Sequence, residues 1–211
     1  MKIILLIILA ITITTLSINA EPLYGQAKLD SLLAELPKAK GDTNEVNLLN
    51  SISFSYYSTN PDKGIEYGKK GLMFSKSLNW KLGEAKANNS IGASYYSKSD
   101  YPKALEYYGK ALKINEEIGN RDGIAFNLVN MGSVYKIQSN YPKALEFYGK
   151  ALKIDEELGN KSGVARNLVN MGAIYQEQSD YPKALEYFQK SLNITEELGN
   201  KKGIAINLGN M

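Results

Sequence analysis

From Tyr101 onward the apolar side chains recur at spacings of three and four, and the whole arrangement returns every 40 residues. YPKALEYYGKALKINEEIGN begins at Tyr101, YPKALEFYGKALKIDEELGN at Tyr141 and YPKALEYFQKSLNITEELGN at Tyr181. The intervening stretch from Gly123, GIAFNLVNMGSVYKIQSN, recurs from Gly163 and begins again at Gly203. Each copy holds two helical patterns. Leu128, Met131, Gly132 and Tyr135 share one face of the first, and Ala144, Leu145, Tyr148, Ala151 and Leu152 share one face of the second. Asp100, Asn140 and Asp180 suit helix N-caps, and Pro102, Pro142 and Pro182 fall in the first turn, where a missing N–H costs nothing. Gly119-Asn120, Gly159-Asn160 and Gly199-Asn200 read as left-handed caps that close the second helix. No strand pattern competes, because the tyrosines and isoleucines lie among strong helix formers. A fixed period in the range of 20–50 residues predicts a solenoid.

The same pattern persists upstream in weaker form. Gly83 to Asp100 reads as a first helix, Asn60-Pro61-Asp62 opens a second helix, and Val46 to Tyr57 is its partner. Leu29 to Leu36 reads as a lone helix covering the N-terminal end. The expected organisation is therefore a segment over 21–42 with a capping helix, then units over about 43–82, 83–122, 123–162 and 163–202. A partial unit occupies 203–211, and because its second helix is missing the natural chain is expected to continue past Met211. Residues 1–20 stand apart. A lysine precedes a near-continuous apolar run from Ile3 to Ile11, and Ala20 precedes Glu21-Pro22. This predicts a signal peptide cleaved after Ala20 and a location outside the cytoplasm, with a membrane tether as the alternative. The run is short for a span of about 20 residues.

Composition narrows the chemistry. The chain has 25 basic and 22 acidic residues, a balance that gives no argument from charge alone for nucleic acid or anionic lipid as a partner. It has no cysteine and no histidine, which removes thiol chemistry, disulfides and the commonest general base and metal ligand. No catalytic, cofactor or metal motif is present. Glu116-Glu117, Glu156-Glu157 and Glu196-Glu197 recur near helix ends as a solvated face, and Trp80 in the linker between units reads as packing.

The pattern of Leu128, Gly132, Tyr135, Ala144, Tyr148 and Ala151, repeated as Leu168, Gly172, Tyr175, Ala184, Phe188 and Ser191, resembles the tetratricopeptide repeat (TPR) family. The resemblance covers roughly Thr43 to Met211. The period is longer than the usual 34 residues of that family, and is similar to the Leu-Gly-Asn-repeat and kinesin-light-chain variants. The family implies an all-α, right-handed superhelical solenoid of antiparallel helix pairs, with first helices lining a concave groove for a peptide or partner protein. Its groove positions fall on Lys86, Asn89, Ser90, Ala93 and Tyr96 in one unit, and on Phe126, Val129, Asn130, Ser133 and Lys136 in the next. They continue at Arg166, Val169, Asn170, Ala173 and Gln176, then at Asn210. The Lys/Arg/Asn set with which some family members hold a C-terminal carboxylate is only partly matched.

Asparagine is a poor helix-interior residue, yet Asn130, Asn170 and Asn210 recur at one position and Asn127, Asn167 and Asn207 at another. The first set is expected to contact a ligand backbone or to be an inherited accident of duplication. The second is the weaker candidate for contact. The expected function is a protein-interaction scaffold without enzymatic activity. The alternative is the sensory N-terminal region of a larger membrane signalling protein such as a sensor kinase, and a third reading is an RNA-binding helical repeat, which the charge balance disfavours. N-terminal sequencing of exported material should read from Glu21, and an intact Met1 in the membrane fraction would replace cleavage by anchoring.

Overall fold

The computed structural model describes residues 25–211, so the leader reading of 1–20 and the cleavage after Ala20 lie outside the described residues. Among the described residues there are ten α-helices and no strand. Helix α1 spans 25–35 and runs into a 3-10 turn at Leu36–Lys38. The rest are, in order, α2 (Thr43–Tyr56), α3 (Pro61–Ser77), α4 (Lys81–Ser97), α5 (Tyr101–Glu117) and α6 (Arg121–Ile137). They continue as α7 (Tyr141–Glu157), α8 (Lys161–Glu177), α9 (Tyr181–Glu197) and α10 (Lys201–Asn210). Successive helices pair as antiparallel hairpins, and the hairpins stack into the superhelical array. None of the described helices is long and apolar enough to cross a membrane.

The linkers divide their work residue by residue. Gly119, Gly159 and Gly199 take φ of +68°, +68° and +62° and close the second helices, a left-handed conformation that glycine adopts without strain. The asparagine after each glycine completes that cap and also begins the next helix. The backbone N–H of Asn120, Asn160 and Asn200 donates to the carbonyls of Asn115, Asp155 and Thr195 at 2.9, 2.8 and 2.9 Å. Their side chains accept from the backbone N–H of Gly123, Gly163 and Gly203. First helices stop in the same way with serine in the glycine's place: Ser99, Ser139 and Ser179 occupy positive φ of 59°, 56° and 60°, and Asp100, Asn140 or Asp180 then caps the second helix.

Within a hairpin the fit is a ring over a glycine. Tyr108 lies across Gly92, Tyr148 across Gly132 and Phe188 across Gly172, so close that a Cβ on any of these glycines would meet a ring carbon at 2.7 Å. The three rings are buried, together with Ala104, Ala144 and Ala184 beneath them. At the hairpin edge a second aromatic pair stacks, Tyr95 on Tyr107 at 5.5 Å and Tyr135 on Phe147 at 5.3 Å, each with lysines over the rings. Ion pairs such as Arg121–Glu157 and Lys161–Glu197 join neighbouring units on the solvent side, where they add little.

The N-terminal unit packs by another rule. Gly64, Gly68 and Gly71 bring α3 close to α2 and α4, with Ser94, Ile91 and Asn50 in the gaps. Ser53 donates to the Gly64 carbonyl at 2.7 Å and Asn50 to the Gly83 carbonyl at 3.2 Å. Trp80 sits at the start of α4 with its ring against Gly83, a packing role.

Two glycine substitutions separate the ring-over-glycine fit from helix propensity. Gly149 is helical, and a methyl group added there would have nothing within 4 Å, so Gly149→Ala should stabilise by about 0.5–1 kcal/mol. Gly132→Ala should instead destabilise by about 1–3 kcal/mol, because the methyl would strike the Tyr148 ring. Thermal melts of the two variants should shift in opposite directions.

Candidate functional site

The open face of the first helices carries three cavities in a row. The first, about 200 Å³, is walled by Phe54 and Tyr57 at the end of α2, by Ala93 and Tyr96 of α4, and by Phe126, Asn130 and Ser133 of α6, with Tyr108 of α5 reaching in. The second, about 420 Å³, lies between the front halves of α4 and α6, where Lys86, Asn89, Asp122 and Phe126 meet Arg166 of α8. The third, about 350 Å³, lies between α8 and α10 and takes in Arg166, Val169, Asn170, Lys202 and Ile206.

Most of the residues picked from sequence line these cavities, and some do not. Lys86, Asn89, Phe126, Asn130, Ser133, Arg166, Val169 and Asn170 face the row. Gln176 and Asn210 lie apart, at the C-terminal edge beside Tyr181 and Leu185. Lys136 lines none of the cavities and pairs with Glu177 at 3.1 Å. Ser90 and Val129 are corrections: they lie under the groove, not on it. Ser90 is 6% exposed and turned towards the Asn50 carbonyl of α2, and Val129 is 7% exposed in the core with Tyr148 and Ile174. Their repeat equivalents, Asn130 and Asn170 for Ser90 and Asn89 and Val169 for Val129, do line the cavities, so the burial is local to these two units. Sequence reasoning missed Phe54, Tyr57 and Tyr108. The signal that could have found the last is the exchange of Ser133 for Ala93 at the same repeat position.

The two asparagine sets separate cleanly. Asn127, Asn167 and Asn207 are at most 1% exposed and tie each first helix to the second helix before it. Asn127 accepts from Asn115 Nδ2 at 2.8 Å, and Asn167 Nδ2 donates to Asp155 at 2.8 Å. Asn207 Nδ2 donates to Ser191 Oγ at 3.1 Å and Thr195 Oγ1 at 3.3 Å. The buried Asp155 also accepts from Asn160 Nδ2 at 2.7 Å and has the Arg166 guanidinium at 3.9 Å, partners that offset the cost of burying a carboxylate. Of the other set, Asn130 and Asn170 face the groove half-buried. Asn130 Nδ2 donates to Asn89 Oδ1 at 2.9 Å, so part of its amide bridges two first helices.

Phenols complete the site. Burial pushes the Tyr148 phenol up to about 12, against a lowering from its contact with Ser133, whose Oγ is 3.1 Å away. Burial raises Tyr108 further still, with the Tyr96 and Tyr57 phenols adding to it, and raises Tyr96. All three stay neutral hydrogen-bonding groups at physiological pH.

Asn167→Ala should therefore cost about 1.5–3 kcal/mol, the range for a hydrogen bond to a charged group, because Asp155 loses a donor in a buried place. Asn170→Ala, with no hydrogen bond from that amide to the described residues, should leave the denaturation midpoint level or slightly raised. Chemical denaturation of the two variants checks the division.

The tetratricopeptide repeat pattern matches residues 83–157 and 159–211, more than half of the chain. No functionally curated protein matches the sequence. Among solved structures, aspartyl phosphate phosphatase F from Bacillus subtilis is similar with a TM-score of 0.77 at 17% identity, over 87% of this chain and 52% of that one. A Rap conjugation gene regulator of the plasmid pLS20, in complex with the Phr* peptide, gives a TM-score of 0.71 at 15% identity over 83% of this chain and 48% of that one. Nearly identical TPR-like repeats of a kinesin light chain from Podospora anserina give 0.63 at 10% identity, over 84% of this chain and 89% of that one. The chain thus spans about half the length of the phosphatase and the regulator. At these identities the likeness is one of fold.

Proposed function

The chain belongs to the tetratricopeptide repeat family, and from that premise we propose that it is a binding scaffold which holds an extended segment of a partner protein along its first helices. One observation carries the reading: where neighbouring copies of the repeat differ. The stretches 101–140 and 141–180 differ at about a dozen positions, and half of these are conservative, such as Ile118 for Leu158 or Val134 for Ile174. Of the non-conservative exchanges, three fall at positions that line the cavities of the open face. They are Asp122 for Ser162, Phe126 for Arg166 and Ser133 for Ala173. A purely structural array has no reason to diversify its open face while holding its interior.

The face suits a partner that lies across several units. Phe126 and Arg166 stand exposed on neighbouring first helices, one apolar and one cationic. The half-buried Asn130 and Asn170 supply amides that can pair with an extended backbone whatever its side chains. The peptide held by the Rap regulator supports the reading through the shared fold alone. The leader pattern of residues 1–20 supports an encounter outside the cytoplasm, and a receptor region within a longer signalling protein is compatible with the same groove.

Peptides selected from a random phage-displayed library on the immobilised protein should protect α4, α6 and α8 in hydrogen exchange. Phe126→Ala and Arg166→Ala should each weaken the selected peptides by about tenfold, the scale of a binding hot spot. Protection confined to α5, α7 and α9, with both variants at full affinity, would sink the groove reading.

A further inference from the structure

The cavity between α2, α4 and α6 has a feature that no other unit repeats. Each ring over a glycine lies between the helices of its hairpin, and of the three Tyr108 lines a cavity of the groove row while Tyr148 and Phe188 do not. In the unit of α6 and α7 the far end of the ring is the Tyr148 hydroxyl, and Ser133 meets it at 3.1 Å. In the unit of α8 and α9 both partners are apolar, Phe188 and Ala173, and nothing polar needs satisfying. In the unit of α4 and α5 the two halves are mismatched. Tyr108 keeps its hydroxyl, but Ala93 stands where the serine would be, and the hydroxyl has no hydrogen-bond partner among the described residues. Tyr108 as a whole is only 3% exposed, and its unpaired hydroxyl is an accessible polar tip on the wall of the cavity.

The walls say what kind of group belongs there. Phe54, Tyr57, Tyr96 and Phe126 surround the opening, with Phe54 48% and Phe126 38% exposed. No charged side chain lines the cavity, so a carboxylate or a guanidinium would enter without a counter-charge. The volume of about 200 Å³ exceeds the roughly 150 Å³ that accommodates a benzene ring. We infer that this cavity is the specificity pocket of the groove and takes a neutral aromatic side chain with a polar tip, a tyrosine of the partner. Its ring lies among Phe54, Tyr57, Tyr96 and Phe126, and its hydroxyl pairs with that of Tyr108. The inference rests on the groove reading and names the anchor residue within it. Asn130, whose Nδ2 is held by Asn89, leaves its Oδ1 on the same wall for the backbone that carries the anchor.

Two variants test the hydroxyl without disturbing the fit. Tyr108→Phe leaves the ring that Phe188 already shows to be accommodated over a glycine. Ala93→Ser gives Tyr108 the internal partner that Ser133 gives Tyr148. The probes are peptides from a random library, then p-cresol and toluene as isolated side-chain analogues followed by NMR titration. The wild-type protein should select tyrosine-bearing peptides and bind them about tenfold more tightly than their phenylalanine counterparts. Both variants should bring that ratio close to one and leave the phenylalanine peptides unchanged. Groove-bound peptides with no tyrosine preference, or a ratio unmoved in both variants, would overturn the pocket assignment and leave the scaffold reading intact. If no peptide is recovered but p-cresol binds in preference to toluene, and loses that preference in Tyr108→Phe, the phenol pocket stands and the peptide-scaffold reading falls.

Discussion

The array depends on one close approach, an aromatic ring laid across a glycine between the two helices of a hairpin. It recurs as Tyr108 on Gly92, Tyr148 on Gly132 and Phe188 on Gly172. The glycine lowers helix propensity, so the sequence accepts a local cost in α4, α6 and α8. What it obtains is a ring buried on both sides and helices held at one separation. Ala104, Ala144 and Ala184 extend the same logic, because any larger side chain there would push the hairpin apart. The spacing of the first helices, and hence the width of each cavity between them, depends on this fit.

The fold was legible in the sequence because repetition multiplies each weak signal. One Tyr-Pro after an aspartate is a suggestion, and three at a fixed interval define where helices begin. The linkers were legible in part. Gly-Asn reads as a cap on the helix before it, and the structure adds that the side chains of Asn120, Asn160 and Asn200 also cap the next helix. Ser99, Ser139 and Ser179 gave no warning of their positive φ, since serine has no glycine-like signature. At the open face, the groove positions implied by the family resemblance fall, for Phe126, Asn130 and Arg166, on residues that line the cavities. They fail for Ser90 and Val129, whose burial is local to their two units. Tyr108 was hidden because it belongs to a second helix and reaches the groove only by passing through the core.

The two asparagine sets show how one residue type can do opposite work four helical positions or fewer apart. Asn127, Asn167 and Asn207 share the inner flank, where their amides hold Asn115, Asp155 and Thr195 of the preceding helix. A leucine there would bury more apolar area but would take one hydrogen-bond partner from each of those groups, and for the buried Asp155 carboxylate the lost donor opposes that gain. Asn89 and Asn130 share the open flank and bond each other across two units. Their other polar atoms remain towards the groove. The same residue type is therefore cement in one register and contact surface in the next.

The ring over a glycine also joins stability to the site. Because the ring spans the hairpin, its inner end belongs to the core, and at Tyr108 its outer end lines the groove. Changing the outer end alone is mild for packing, since Tyr148 and Phe188 occupy equivalent places with the same glycine beneath. A serine or alanine opposite that end, as at Ser133, Ala93 and Ala173, then decides whether that end presents a satisfied hydroxyl, an open one, or none. A duplicated array can in this way vary its chemistry unit by unit while each hairpin keeps one fit. The aromatic end between α2 and α6, and the mixed Lys86 and Arg166 end beyond it, are two products of that freedom on a single scaffold.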